Sequence, residues 1–298
     1  MQVRGAVHCE PFAGDLPQGL SCVGIPTAAG IVTAVLTDEA VAGSGVEGEG
    51  CAGAPALLVP GFTGSKEDFT TFLPYVARRG RTALAYSQRG QADSAAPMGV
   101  ENYRLSDFVG DLIEVARAMG ASECPVHLMG HSFGGVIARQ AVVQAPELFR
   151  SVTLFSTGPR PPEGMRWTPL RQRLLSSETG KRLSAWYISQ YLSSDSRDEL
   201  IRLRAQVTSE DSLMGAAYIL ARYPDVSLLL RHSGCPVLIT HGVGDRVWPE
   251  WMHRREASVV GARYEVIPDA QHSAQLENPD ALADVVTSFW KDVEAGLE

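Results

Sequence analysis

Short, continuous apolar runs recur along this chain at "ALLVP" (56–60), "TALAY" (82–86), "VHLMG" (126–130), "VTLFS" (152–156), "PVLITHG" (236–242) and "YEVIP" (264–268). Most are separated by amphipathic segments such as "LSDFVGDLIEVARAMG" and "DALADVVTSFWKDV", whose apolar positions return at helical spacing. A strand without polar alternation has to be covered on both faces, and helices placed between such strands do the covering. The rhythm therefore predicts an α/β fold, a doubly wound domain on a mostly parallel sheet. Two earlier runs, "LSCVGIPT" (20–27) and "GIVTAVLTD" (30–38), read as further strands after a loose start. The segment after them, "EAVAGSGVEGEGCAGAP", is rich in Gly, Ala and Glu and reads as a loop.

One interval interrupts the alternation. From 159 to about 225 no run reads as a strand, while Leu183, Trp186, Tyr187 and Tyr191 share one helical face and Leu213, Ala217 and Leu220 share another. The expectation is a helical cap insertion over 159–225, opened by the proline-rich "GPRPPEG", within a core formed by 1–158 and 226–298. A length of 298 residues admits one large domain or two small ones, so the pattern and not the length decides.

Composition narrows the function classes. With 45% hydrophobic and 20% charged residues the chain has the balance of an ordinary globular protein. A formal net charge of −8 argues against a broad nucleic-acid or anionic-membrane surface and leaves a small-molecule partner as the expectation. No run approaches the ~20 apolar residues of a membrane span, and the first residues lack an apolar signal region, so a cytoplasmic location is expected. Cys9, Cys22, Cys51, Cys124 and Cys235 are scattered, with no C-x-x-C pair, and no two histidines have H-x-x-x-H spacing. Reduced thiols, no metal site and no cofactor are expected.

The chemistry concentrates at "VHLMGHSFGGVIARQ". The order is strand, glycine, variable residue, Ser132, variable residue, glycine, helix. A serine on so sharp a strand-to-helix turn needs small neighbours, which Gly130 and Gly134 provide, and the helix N-terminus beside it favours developing negative charge. The alternative is a structural turn with a capping serine. A serine hydroxyl needs a histidine base and a carboxylate that orients the base. Both are available downstream: Asp245 in "HGVGDRVWP" and His272 in "PDAQHSAQLENP", each just past a predicted strand, at the edge where open parallel sheets bind ligands. Such a pair predicts activity that rises with pH through about 6–7. His131, His127 and His241 read as packing or supporting residues.

With these motifs and the loop "VPGFTGSKEDF", the chain resembles the α/β-hydrolase superfamily from about Ala54 to Phe289, within it the cap-bearing group of esterases, cofactor-free haloperoxidases and C–C bond hydrolases. The resemblance implies Ser132, Asp245 and His272 as catalytic residues and the backbone N–H groups of Phe62 and Phe133 as an oxyanion hole. Where the family commonly has His-Gly-x, this chain has Pro60 before Gly61, which removes any hydrogen bonding that the histidine provides behind the loop. Local sequence alone would let "GFTGS" serve only as a turn, with Ser65 and Asp68 as a capping box. "AYSQRGQADS" is similar to the family's D-x-R-G-x-G-x-S segment, with Ser87 for Asp and Ala92 for Gly, and Arg89 and Ser94 read as structural. Trp186, Tyr187 and Tyr191 are candidate substrate contacts from the cap, and Trp167 and Trp248 weaker ones. The leading expectation is a serine hydrolase acting on a small ester, thioester or related acyl compound. An acyltransferase, C–C bond hydrolase or perhydrolase would use the same residues, and a ligand-binding receptor could share the fold.

Overall fold

A computed structural model describes residues 2–12, 14–38, 53–161 and 199–298. Among them one sheet runs through the molecule, with strands β1 (Val7–His8), β2 (Leu20–Thr27), β3 (Gly30–Thr37), β4 (Ala56–Val59), β5 (Ala83–Tyr86), β6 (Val126–His131), β7 (Phe149–Phe155), β8 (Val237–Gly242) and β9 (Arg263–Ile267). Their spatial order is β1-β2-β3-β5-β4-β6-β7-β8-β9. The first three are antiparallel, β3 meets β5 antiparallel, and from β5 to β9 every pairing is parallel. The eight strands read from sequence are present. β1 falls within the loose start, where two residues are too few to show a pattern.

The parallel strands alternate between two cores. Leu57, Val59, Leu128, Leu154 and Ile239 face one side, against α2 (Leu105–Ala118) and α3 (Phe133–Gln144). Ala56, Leu58, Met129 and Leu238 face the other, against α1 (Leu73–Arg78) and α9 (Pro279–Glu294). This two-sided burial is why the runs lack polar alternation. Leu282, Val286 and Phe289 of α9 are fully buried, each contributing roughly 1.5–3 kcal/mol by leaving water. Asn278 starts α9, accepting the Ala281 N–H ahead of Pro279.

The remaining helices are α4 (Glu199–Val207), α5 (Glu210–Leu220), α6 (Ser227–His232), α7 (Glu250–Val260) and α8 (Ala274–Glu277). Leu213, Ala217 and Leu220 lie on α5, as their spacing predicted. The Gly-rich 39–52 segment, Cys51, Trp167, Leu183, Trp186, Tyr187 and Tyr191 lie outside the described residues. No helix among the described residues is long and apolar enough to cross a membrane.

The site follows from strand order. β4 lies between β5 and β6, so the chain leaves β4 in one direction and returns past it in the other. A crevice opens at such a reversal, outside the C-terminal strand ends. The segments after β4, β5 and β6 meet there.

Candidate active site

Ser132 follows β6 directly and precedes α3, with φ 54° and ψ −117°. Left-handed φ at a residue with a Cβ is strained, at a cost of order 1–3 kcal/mol. Its neighbours make the turn possible. A Cβ on Gly130 would come 2.5 Å from the Gly134 carbonyl oxygen, and one on Gly134 would collide with the carbonyl oxygens of Val59 and Pro60. Although Ser132 occupies the N-cap position, its side chain makes no capping hydrogen bond. The hydroxyl instead lies 3.0 Å from His272 Nε2. The capping alternative therefore does not describe this serine.

The other face of the His272 ring meets a carboxylate, with Nδ1 3.1 Å from each Asp245 oxygen. Asp245 has a fully buried side chain and accepts the Val247 N–H at 2.9 Å. Burial opposes its ionisation, but the hydrogen bond and charge of His272, then the Val247 N–H, outweigh burial and hold the carboxyl below the usual range. Trp248 stacks on the His272 ring at 6.1 Å and 23° and donates its indole N–H to the Arg160 carbonyl. Ser132, Asp245 and His272, separated in sequence, thus stand in one hydrogen-bonded line at the ends of β6, β8 and β9.

His131 works behind this line. It is buried, with Nε2 2.8 Å from the His272 carbonyl oxygen, which fixes an Nε2–H donor. Burial first, and then the nearby His272, push its pKa down to about 3. The packing role read from sequence holds, with a contact to the His272 backbone that sequence did not signal. His127 is hydrogen-bonded to Ser151 and Glu294 and stacks on Trp290, while His241 bonds Tyr264 and stacks on His253. Arg139 of α3 makes a bidentate pair with Glu256 of α7, both at 2.8 Å, and joins the helix of the sharp β6–Ser132–α3 turn, the elbow, to the helix that follows the Asp245 loop.

Phe133 is the first residue of α3, in the turn whose N–H groups have no intrahelical acceptor, and its ring packs edge-on against Phe108 at 5.3 Å. Phe62 lies in the turn after β4. That turn approaches the serine closely, since a Cβ on Gly61 would be 3.4 Å from Ser132 Cβ. Asp68 accepts the Ser65 N–H at 3.3 Å, one half of the capping box. The Ser65 hydroxyl and the Asp68 carboxylate also receive Nη1 of Arg204, from α4. Arg89 is locked bidentate to Asp111 at 2.6 and 2.7 Å, and Ser94 donates to the Ser87 carbonyl, the structural roles expected of them.

Sequence reasoning passed over Gln88 and Gln91. Gln88 Nε2 donates to the Pro60 carbonyl at 2.9 Å, and Gln91 Nε2 donates to the carbonyls of Gly61 at 2.8 Å and Phe62 at 3.3 Å. Polar residues in a loop carry no local mark of such a role. Among the described residues no group of three or more His, Cys, Asp or Glu side chains could hold a metal ion.

Known proteins share this architecture. A proline iminopeptidase from Clostridium botulinum is 34% identical over 106 residues, a stretch covering 35% of this chain and 36% of that enzyme, so the match spans well under half of either. A thermophilic esterase from Thermogutta terrifontis superimposes with a TM-score of 0.70 at 22% identity, covering 92% of this chain and 99% of the esterase. The enol-lactonase from Burkholderia xenovorans LB400 gives a TM-score of 0.65 at 18% identity, covering 90% and 99%. Identities this low establish the shared fold alone. The sequence model of the "Alpha/beta hydrolase family" matches residues 56–285, most of the chain and every strand of the parallel sheet, and the chain therefore belongs to the α/β-hydrolase family.

Proposed function

We propose that the protein is a serine hydrolase that cleaves a small ester, thioester or related acyl compound through an acyl-enzyme. The observation that carries this reading is the continuous line from the Ser132 hydroxyl through both nitrogens of His272 to the buried, ionised Asp245. Ser132 is the nucleophile. As its oxygen bonds the acyl carbon, its proton passes to His272 Nε2, and the resulting imidazolium is stabilised by Asp245. The Phe62 and Phe133 amides hold the negative oxygen of the tetrahedral intermediate. His272 then returns the proton to the leaving alkoxide or thiolate as the acyl–oxygen or acyl–sulfur bond breaks. Water loses a proton to His272, adds to the acyl group and releases the acid, and Ser132 regains its hydrogen.

Strain at Ser132 supports the same reading. A residue used only as a turn has no need of left-handed backbone where glycine would be free of cost, whereas a nucleophile has to present its Oγ above the sheet. In this reading the interval 159–225 is a cap over the crevice, and its side chains select the acyl group. Trp186, Tyr187 and Tyr191 remain its candidate substrate contacts.

The test uses a fluorophosphonate probe and a panel of p-nitrophenyl esters of increasing acyl length. Wild type is expected to label at Ser132 and to turn over the shorter esters. Ser132→Ala is expected to lose labelling and to lower turnover by about 10⁶-fold, the scale of nucleophile removal in serine hydrolases. A wild-type protein that never labels, or labelling that survives Ser132→Ala, overturns the proposal.

A further inference from the structure

The turn that carries the Phe62 amide has no helix or strand of its own, and Pro60 stands where the family commonly has a histidine. Its internal backbone bond, from the Gly64 N–H to the Gly61 carbonyl at 3.2 Å, is supplemented by the segment after β5. Three consecutive carbonyls, of Pro60, Gly61 and Phe62, receive side-chain N–H groups from Gln88 and Gln91, and the Ser87 hydroxyl accepts the Lys66 N–H at 3.0 Å. The two glutamines act as one unit, because Gln91 Oε1 accepts the Gln88 backbone N–H at 3.1 Å. They are only 1% and 2% exposed, so water does not compete for these contacts.

One of these contacts bears directly on the proposed chemistry. The Gly61 carbonyl and the Phe62 N–H belong to the same planar trans peptide, in which C=O and N–H point in opposite directions. Holding the Gly61 oxygen on Gln91 therefore aims the Phe62 N–H away from Gln91. The Gly61 side of this peptide also packs against Ser132 and His131. We infer that Gln91, braced by Gln88, is the positioning residue of the oxyanion hole and fixes the plane of the 61–62 peptide so that the Phe62 N–H meets the developing oxyanion. The inference rests on the serine-hydrolase reading. It also explains how the turn keeps its shape with proline at position 60.

The experiment compares full-length wild type with Gln91→Met, Gln88→Met and Gln91→Glu. It measures kcat and KM on a short p-nitrophenyl ester, inhibition by an aryl boronic acid that forms a tetrahedral adduct on serine, and thermal melting. Gln91→Met is expected to lower kcat by about 10–100-fold, below the ~10²–10³ of losing an oxyanion donor outright. KM should stay near wild type and boronate affinity should fall by the same factor as kcat. Gln88→Met should show the same pattern at smaller amplitude. In Gln91→Glu an ionised carboxylate would face the Gly61 and Phe62 carbonyls, whereas the protonated acid can donate to them, so its activity relative to wild type should rise as pH falls.

Folded Gln91→Met and Gln88→Met proteins with wild-type kcat would overturn the inference, as would a loss confined to KM with boronate affinity unchanged. If the methionine variants do not fold, a Gln91→Glu to wild-type ratio that stays flat with pH overturns it. Wild type that never labels with fluorophosphonate removes the hydrolase reading and this inference together. Labelled wild type with unaffected glutamine variants removes the inference alone.

Discussion

The two flanks of Ser132 are built by opposite means. The elbow is shaped by missing side chains: Gly130 and Gly134 let β6, α3 and the end of β4 approach at distances no Cβ would permit. The turn at 60–66 is shaped by added ones, with Ser87, Gln88 and Gln91 reaching from the next loop to hold its backbone. Steric exclusion makes a conformation obligatory wherever backbones pack this closely. Hydrogen bonding makes it conditional on a partner segment, and that partner can be changed independently. The elbow should therefore fail abruptly on substitution, and the turn by degrees.

Acid gives the largest effect. His131, beside the elbow, and His253, buried against His241, both have pKa values pushed down to about 3, by burial first and by a neighbouring histidine second. In the unfolded chain an ordinary histidine binds a proton below about 6.5. Between about 6.5 and 3 the unfolded state thus carries more protons, and stability falls as pH falls through that window, by up to about 1.4 kcal/mol per pH unit for each histidine. Urea unfolding across the window should show this slope, and His253→Phe should flatten it; an unchanged slope would remove His253 from the account.

Gly134→Ala comes next. Its methyl would collide with the Val59 and Pro60 carbonyls, so melting and probe labelling should fall together, with a stability loss of about 3 kcal/mol. Wild-type melting in this variant would break the comparison, because it would show the elbow to be as adaptable as the turn. Ser87→Ala should be mildest. It strands the buried Lys66 N–H at a cost of about 1–2 kcal/mol and should slow ester turnover only a few-fold. A collapse of activity in that variant would show that the turn depends on one support and not on several.

The same contrast explains what sequence could show. Ser132, Asp245 and His272 were legible because each stands just past an apolar run and the strand order brings those ends together. The fold was legible because burial on both faces leaves its mark in every parallel strand. Gln88 and Gln91 were not, since each acts on a backbone far away along the chain and has only the ordinary polarity of a loop. Ser87 registered only as a departure from the family's aspartate, although its hydroxyl has a partner of its own in the Lys66 N–H. The contact of His131 with the His272 carbonyl was hidden in the same way, joining residues whose separation carries no periodicity.

The bond from Arg204 of α4 to Ser65 and Asp68 has a consequence for recombination. Asp68 is largely buried, so its carboxylate depends on that guanidinium for a counter-charge. Exchanging the whole 159–225 interval for one from another hydrolase would replace Arg204 and would leave a stranded anion three residues beyond Ser65. A graft whose downstream junction falls before Glu199 keeps the arginine in place. The stretch that can be exchanged without losing this contact therefore ends before α4, whose Arg204 belongs with the turn it braces.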